Sequence, residues 1–305
     1  MNRFFRILLL LLIATDLTAQ LSPVNDQYVL NPLLINPSYA GSRNALNVGT
    51  FYRQQWVGLE GAPETMTISA DAPLFQEKLG LGFLLINDKI GVTSETQFVS
   101  NYAYKIRIAD GTLALGLGAG VLLTNTAWSK LYALEPGDDS YLIDSKIFVV
   151  PDFSFGMRYS YGNYFAGFSI PKFLSYKFDY DKNKYLLRND PVYYTYMLNT
   201  GYLFSLTPKI NFLPSTLLTY SVGERFLYDL NTYFSFSDKL WLGFSYRNNR
   251  SVSGLFQFKI TDQFRIAYSY DYELGELGRY SNGSHGIMLR FELRYKVNVD
   301  NPLEF

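Results

Sequence analysis

The sequence predicts an all-β fold, namely a transmembrane up-and-down antiparallel β-barrel of about fourteen strands. Three observations predict it. Long segments alternate apolar and polar residues with a period of two, short and long connections follow each other in turn, and the apolar faces are rich in Tyr and Phe. Aromatic residues make up 17% of the 305-residue chain against 18% charged residues, whereas a soluble domain would carry more charge and fewer aromatic rings.

Residues 1–19 are predicted to be a secretory signal peptide. Arg3 and Arg6 make its start positive, the segment 7–14 is apolar and rich in Leu, and Ala19 precedes the expected cleavage site. The apolar run is too short to cross a bilayer as a helix, which disfavours the alternative of a retained membrane anchor. No later window contains the run of about eighteen apolar residues that a transmembrane helix needs.

Strict alternation of side-chain character predicts the strands. In 65–72, in 264–272 and in 287–297, one face of the predicted strand is apolar or aromatic and the other, apart from Met288, is polar or small. Most predicted strands have ten or more residues, a length that suits tilted strands crossing a bilayer. The predicted strands are 45–56, 64–74, 78–87, 94–108, 112–125, 147–160, 163–170, 192–205, 209–222, 225–236, 239–248, 252–261, 263–272 and 284–298.

The connections provide a second, independent signal. Every second connection is short, and the intervening ones include long polar segments, which is typical of a barrel with tight periplasmic turns and longer outer loops. With an even strand count, both termini of the barrel are expected in the periplasm. The short connections are 75–77, 109–111, 161–162, 206–208, 237–238 and 261–262, and the long ones include 126–146, 171–191 and 273–283.

A soluble β-sandwich is the alternative fold, because it also has one dry and one wet face. An open sheet of fourteen strands would expose two edges, whereas closure pairs every strand and satisfies the backbone in lipid. Polar faces with charges of both signs, such as Arg290 beside Glu292, suit a hydrated or paired barrel interior. Aromatic residues near strand ends are expected to form the interface girdles: Phe51, Tyr102, Tyr104, Tyr159, Tyr202, Tyr220, Tyr246 and Tyr295.

Residues 20–44 are predicted to be a periplasmic leader, followed by the barrel at 45–305. The leader is apolar without strand alternation, and its two Asn-Pro pairs, at Asn31 and Asn36, disfavour helix and favour turns. One interpretation is that the leader packs in the periplasmic mouth or the lumen of the barrel, since an ordered terminus needs a surface to dock on. The other is that it forms a docking surface for a periplasmic partner.

Two features of the strands point towards the lumen. Arg53 and Gln55 share one face of the first predicted strand, taken to be the luminal one, while Tyr52 and Trp56 share the other. A luminal Arg is expected to pair with a carboxylate. The small residues Gly116, Gly118 and Gly120 share a strand face and are expected to allow close packing of the leader inside the barrel.

Several segments resemble the PorP/SprF family of type IX secretion system membrane proteins of Bacteroidetes. They are QYVLNPLLINPSYAG at 27–41, RQQWVG at 53–58 and APET at 62–65, with weaker likeness at 113–118, 151–156, 267–271 and 283–285. The chain departs from the family pattern at Gly286, where Glu is expected after His285. The resemblance implies an outer-membrane barrel that serves secretion or surface attachment of proteins, sometimes linked to gliding motility, and that contacts periplasmic lipoprotein components of the secretion machine.

The composition argues against several other functions. Lys+Arg and Asp+Glu both number 27, and this neutral balance disfavours nucleic acid as a partner. No Cys and one His leave no thiolate site and no His cluster for a metal, so no cofactor and no metal are expected. Ser284 and His285 would point to opposite strand faces and cannot form a catalytic dyad. Acidic residues in 135–146 do not match an EF-hand, so a solvated loop is favoured over Ca²⁺ binding.

The hypothesis from the sequence is therefore a multi-pass barrel of the cell outer membrane that has no enzymatic activity. It would act as a scaffold between outer-membrane lipid, periplasmic lipoproteins of the type IX machine and exported surface proteins. The alternative is an outer-membrane channel or porin-like transporter for small solutes. The residues proposed for partner docking or as family motifs are Asn31, Pro32, Asn36, Pro37, Gly41, Arg53, Gln55 and Trp56.

Overall fold

The computed structural model describes residues 28–43, 45–74, 78–130, 144–179, 184–222, 226–248 and 250–293. The predicted signal peptide, the first part of the leader, the turn at 75–77, Tyr295 and the acidic residues Glu135, Asp138 and Asp139 lie outside the described residues.

The described chain consists almost entirely of strands joined by turns and a few short 3₁₀ helices. The 3₁₀ helices are Pro32–Leu34, Pro37–Tyr39, Trp128–Lys130, Pro191–Tyr193 and Glu276–Arg279. The strands are β1 Leu46–Gln54, β2 Glu64–Leu74, β3 Leu79–Ile90, β4 Thr93–Ile108, β5 Gly111–Thr126, β6 Phe148–Tyr161, β7 Tyr164–Ile170, β8 Ser175–Asp179, β9 Lys184–Arg188, β10 Thr195–Tyr202, β11 Phe204–Thr207, β12 Ile210–Ser221, β13 Leu227–Phe236, β14 Leu240–Arg247, β15 Ser251–Lys259, β16 Phe264–Glu273 and β17 Ser284–Leu293.

These strands close into an antiparallel barrel. β1 pairs with β2 on one side and with β17 on the other, in a register that joins Leu46 to Leu293 and Gln54 to His285. β10 pairs with both β7 and β12, so no edge is left in the ring. β11 continues β10 after a break at Leu203, so the fifteen strands of this sheet make fourteen barrel strands. The predicted fold class and strand count are confirmed.

Two predicted elements differ in detail from the structure. The predicted strand 192–205 begins only at Thr195, because Pro191 starts a 3₁₀ turn, and it is broken where the Leu203 amide donates to the Asn163 carbonyl. The predicted loop 171–191 contains a separate hairpin of β8 and β9 that lies outside the barrel sheet. Its short strands are too brief for alternation to distinguish them from a polar loop.

The connections divide the barrel into two ends. The turn end holds the connections that follow β2, β4, β6, β11, β13 and β15, together with the start of β1 and the end of β17. At Ser237 and Asp238 both φ angles are near +50°, which is the geometry that matches the twist of a two-residue hairpin. The loop end holds the remaining connections. These include the predicted long ones, but β3 and β4 are joined there by Gly91 and Val92 alone.

The two faces of the wall differ as a membrane barrel requires. Outward side chains are large, apolar and exposed, for example Tyr102 (55%), Leu117 (62%) and Leu289 (52%). Many inward side chains are polar and buried, such as Thr67, Asn101 and Asp271. Lipid accepts the first set, while the interior provides the second set with hydrogen-bond partners. Among the described residues, no helix is both long and apolar enough to span a bilayer.

The prediction that Phe51 belongs to the lipid-facing girdle is wrong. Phe51 has the same parity as Arg53 on β1 and therefore points into the barrel, where it is 7% exposed and packs in a cluster with Leu30, Ala267 and Met288. An apolar residue on the luminal face is stable here because the leader supplies an apolar partner. Of the other predicted girdle residues, Tyr102, Tyr104, Tyr202 and Tyr220 are exposed on the outer face.

Candidate functional site

The described part of the leader, residues 28–43, forms two 3₁₀ turns inside the barrel. Each turn begins with an Asn-Pro pair, because Pro has a fixed φ and needs no amide partner at the first helical position. The two Asn residues are not equivalent. The Asn36 side chain caps its turn, whereas the Asn31 side chain makes no capping hydrogen bond.

Asn36 fixes the leader to the barrel wall. Its side chain is fully buried, and Nδ2 donates to the carbonyls of Met157 (3.2 Å) and Phe168 (3.3 Å) on β6 and β7. Its Oδ1 accepts from the Ser38 amide (2.9 Å) and the Ser38 hydroxyl (2.6 Å). One amide group therefore joins the second 3₁₀ turn to two barrel strands and makes hydrogen bonds with four polar groups.

Gly41 ends the second turn at a point where the leader touches β2 and β3. Its φ of +58° is in the left-handed region, and a Cβ there would lie 2.6 Å from the Ala72 carbonyl oxygen. The Gly41 amide donates to the Asp71 carboxylate (3.1 Å), and its carbonyl accepts from Lys105 Nζ (2.5 Å). Glycine is thus required both by the backbone conformation and by the close approach of the wall.

Three apolar clusters hold the leader against different sides of the wall. Leu33 and Ala40 pack on β3 and β4, and Leu30 packs on β1, β16 and β17. Tyr28 and Ile35 pack against Leu217 of β12. Because these contacts lie on opposite sides of the ring, the leader crosses the lumen rather than following one strand.

Glycines on the luminal face make room for the leader. A Cβ at Gly80 would lie 1.9 Å from the Ala40 carbonyl, one at Gly116 would lie 2.2 Å from the Ser38 amide, and one at Gly156 would lie 1.9 Å from Asn36 Oδ1. The predicted leader packing is therefore confirmed at Gly116. At Gly118 and Gly120 the prediction is wrong, since the nearest atoms there belong to the barrel wall itself.

Two tyrosines of the leader bind asparagines of the wall. Asn231 Nδ2 donates to the Tyr28 hydroxyl (2.6 Å), and Asn199 Nδ2 donates to the Tyr39 hydroxyl (2.8 Å). Burial raises the pKa of both phenols above the usual value, so each remains neutral inside the barrel. The Arg158 guanidinium lies over the Tyr39 ring at 4.8 Å and adds a cation–π contact.

The second group of predicted residues lies at the loop end of β1. Arg53 Nη2 lies 2.8 Å from Asp271 Oδ2 with both side chains almost fully buried, which confirms the predicted luminal pairing. The backbone amide of Gln55 donates to the Pro63 carbonyl (2.9 Å). Trp56 does not continue the strand alternation, because β1 ends at Gln54 and Trp56 has a φ of +45°.

The eight predicted docking or motif residues therefore form two groups rather than one site. Asn31, Pro32, Asn36, Pro37 and Gly41 are in the leader within the lumen, and Arg53, Gln55 and Trp56 lie at or just beyond the loop end of β1. The leader group reaches along β1, since Asn31 lies beside Thr50 and Phe51, whereas Gly41 contacts Asp71 and Ala72 of β2. Their role in partner docking stays a prediction.

A cavity of about 750 Å³ lies between the leader and the wall at the turn end. Its wall residues come from the turn-end halves of β13 to β17, and Val29 and Leu30 of the leader close it on the inner side. Three arginines line it, Arg43, Arg265 and Arg290, together with Glu292. The pattern of the sequence singled out Arg290 and Glu292 as a luminal pair but gave no sign of this cavity.

His285 and Ser284 point to opposite faces, as predicted. The Ser284 hydroxyl accepts from the Trp56 amide on the inner side (3.2 Å), while His285 Nδ1 lies 2.7 Å from the Tyr268 hydroxyl on the outer side. In the part of the chain that the structure describes, no cluster of three His, Cys, Asp or Glu residues could hold a metal. Asp144 accepts from the Ser129 amide (3.0 Å), which also lowers the pKa of its carboxyl.

The closed barrel, its apolar belt and its leader-filled interior define an integral β-barrel protein of the outer membrane. The chain belongs to the PorP/SprF family of type IX secretion system membrane proteins, which matches residues 17–291. No curated protein matches the chain.

Solved structures of outer-membrane barrels are similar in fold. The CymD monoaromatic hydrocarbon channel is 9% identical with a TM-score of 0.51, covering 90% of this chain and 94% of that chain. The toluene transporter TbuX of Ralstonia pickettii is 9% identical with a TM-score of 0.49, covering 86% and 92%. The Acinetobacter baumannii outer membrane protein Omp33 is 9% identical with a TM-score of 0.48, covering 82% and 99%. At this identity the likeness to CymD shows the fold alone.

Proposed function

We propose that this chain is a non-enzymatic scaffold of type IX protein secretion or surface-protein attachment. In this proposal the barrel anchors in outer-membrane lipid, its turn end docks periplasmic lipoproteins of the machine, and its loop end contacts exported surface proteins. Residues 1–19 would be removed as a signal peptide. Residues 20–44 would enter the barrel 45–305 from the periplasm.

The observation that carries the proposal is the leader inside the lumen. Apolar clusters, the Asn36 hydrogen bonds and the glycine contacts attach it to strands on several sides of the ring. Such a plug stiffens the barrel and leaves its two ends as separate surfaces, as a scaffold requires. A solute transporter needs a continuous path, and the leader occupies part of the lumen through which such a path would run.

The absence of a catalytic arrangement around the single histidine supports the non-enzymatic part of the proposal. His285 contacts Tyr268 and Tyr270 on the outer face of the wall, away from the hydroxyl of Ser284. A His285→Ala variant that lost secretion while still folded would contradict this part. Unchanged secretion is the expected result.

The deciding experiment is a pull-down of the tagged full-length barrel from native membranes in mild detergent after crosslinking. We expect recovery of periplasmic lipoproteins and a surface protein, identified by mass, and loss of surface display when the gene is deleted. An unrelated tagged barrel from the same membranes is the control.

Recovery of the barrel alone under crosslinking, with secretion intact in the deletion strain, would refute the scaffold. Large, steady conductance of the purified barrel in planar bilayers would instead favour the channel. The scaffold predicts little or no conductance.

A further inference from the structure

The cavity at the turn end has more positive than negative charge. Arg43, Arg265 and Arg290 all face the single carboxylate of Glu292, at N–O distances of 3.6, 3.5 and 3.8 Å. Charge-assisted hydrogen bonds are normally about 2.7–2.9 Å, so none of the three contacts is a tight one. Among the described residues that line the cavity, three guanidinium groups therefore share one carboxylate.

Two further carboxylates, those of Asp71 and Asp238, lie outside the cavity lining and offset this positive charge only in part. Asp71 accepts from Asn47 Nδ2 (2.7 Å) and from the Gly41 amide (3.1 Å), so its oxygens are held at the edge of the leader. Asp238 lies 3.9 Å from Arg265, but its side chain is 62% exposed and it also faces Lys259. A further anion could thus approach the arginines with a gain in electrostatic energy.

The arginines are held in place before any ligand arrives. The Arg265 guanidinium stacks over the Trp241 ring at 4.3 Å. Arg290 Nη2 donates to the Leu30 carbonyl, and Arg43 Nη2 donates to the same carbonyl (3.3 Å). Preorganised donors lose little conformational entropy when an anion binds them.

Apart from Ser42 and Gln257, the rest of the lining is apolar or aromatic, which selects the kind of anion. Val29, Leu30, Tyr233 and Leu255 face the same space as the arginines. A small inorganic ion would leave this surface unused, whereas a carboxylate on an extended peptide could place neighbouring apolar side chains there. The barrel wall separates the cavity from the surrounding lipid, which disfavours a lipid headgroup.

We propose that this turn-end cavity binds a carboxylate-bearing peptide segment of a periplasmic partner. The identity of the occupant rests on the proposed scaffold function, whereas the selectivity for an acidic, partly apolar peptide rests on the cavity alone. Arg43 and Arg265 would bind the carboxylate, and Glu292 would oppose it.

The test uses the full-length barrel in detergent and two fluorescein-labelled peptides. One alternates acidic residues with Leu (Asp-Leu-Glu-Leu-Asp-Leu), and the other has the corresponding amides (Asn-Leu-Gln-Leu-Asn-Leu). Fluorescence anisotropy gives each Kd. We expect the acidic peptide to bind at least about tenfold more tightly, and its affinity to fall as salt is raised from 50 to 500 mM.

Matched variants locate the binding to the cavity. Arg43→Gln and Arg265→Gln are expected to weaken the acidic peptide about tenfold, since each removes one guanidinium contact. Glu292→Gln is expected to strengthen it several-fold, because a repelling charge is lost. Arg279→Gln, the same charge change on an exposed residue at the loop end, should leave the Kd unchanged.

Heat-modified mobility on gels checks that each variant is folded. The proposal is overturned if both peptides bind equally, or if the folded Arg265→Gln and Glu292→Gln variants both bind like the original protein. The salt series on the unaltered barrel tests the proposal even if a variant does not fold. The peptide assay does not depend on secretion. A negative pull-down, which tests the scaffold, is therefore distinguishable from a negative binding assay, which tests the cavity.

Discussion

Replacement of Asn36 by Ala should release the leader from the wall. The change removes two hydrogen bonds to the carbonyls of Met157 and Phe168 and two from Ser38 to Asn36 Oδ1. A buried hydrogen bond contributes about 0.5–1.5 kcal/mol, and a lost cap about 1 kcal/mol. Because the two bonds to the wall are long, we expect a total cost of about 2–4 kcal/mol.

This cost should appear as local opening of the leader. A change of about 1.4 kcal/mol is tenfold in an equilibrium constant, so amides of the leader should exchange with deuterium about 30- to 1,000-fold faster. Hydrogen exchange of the detergent-solubilised barrel, followed by mass spectrometry of peptides from 28–43, measures this directly. Peptides from β14, which does not pair with β6 or β7, should be unaffected.

Asn31→Ala is the matched control. It alters the other Asn-Pro pair, but the Asn31 side chain makes no capping hydrogen bond and is only half-buried, so exchange should change by a few-fold at most. Equal acceleration in both variants would show that the Asn-Pro turn itself, and not the Asn36 network, holds the leader. No acceleration in Asn36→Ala would refute the reasoning altogether.

Two further predictions concern the stability of the whole barrel, measured by urea unfolding. Arg53→Ala should lower the free energy of unfolding by about 3–5 kcal/mol, because the Asp271 carboxylate stays buried without this partner. Replacing both residues by apolar ones should restore most of the lost stability. A double variant as unstable as Arg53→Ala would contradict this prediction. Gly162→Ala should cost about 1–2 kcal/mol from its φ of +54° alone, since its Cβ meets open space. Gly41→Ala should destabilise the barrel clearly more, because its Cβ would also clash with the Ala72 carbonyl oxygen. Equal losses of stability in the two variants would argue against this close contact between the leader and β2.

The strands could be predicted because their signal is local. In a pleated strand, neighbouring side chains face opposite sides, so lipid on one side and a polar interior on the other produce a period of two in the sequence. The orientation of a side chain could not be predicted where this alternation ends or where a luminal residue has an apolar partner. Trp56 lies past the end of β1, and Phe51 faces inward because Leu30 of the leader provides an apolar partner.

The candidate site was only partly predictable. The Asn-Pro turns and the need for close packing at Gly116 follow from the residues themselves. The luminal glycines Gly80 and Gly156 have the same signal, a glycine within a strand, but nothing in the sequence says which of them meets the leader. The turn-end cavity depends on arginines from the leader and two barrel strands, which no motif connects.

By itself, the sequence determined the fold class, the approximate strand count, the two faces of the wall and the resemblance to the secretion family, since each depends on neighbours along the chain. Only the tertiary structure decided which partner each buried group finds. Arg53 and Asp271 are 218 residues apart and meet only because β1 and β16 both flank β17 in the closed ring. Likewise, the leader crosses the lumen because closure encloses a space that its apolar side chains fill.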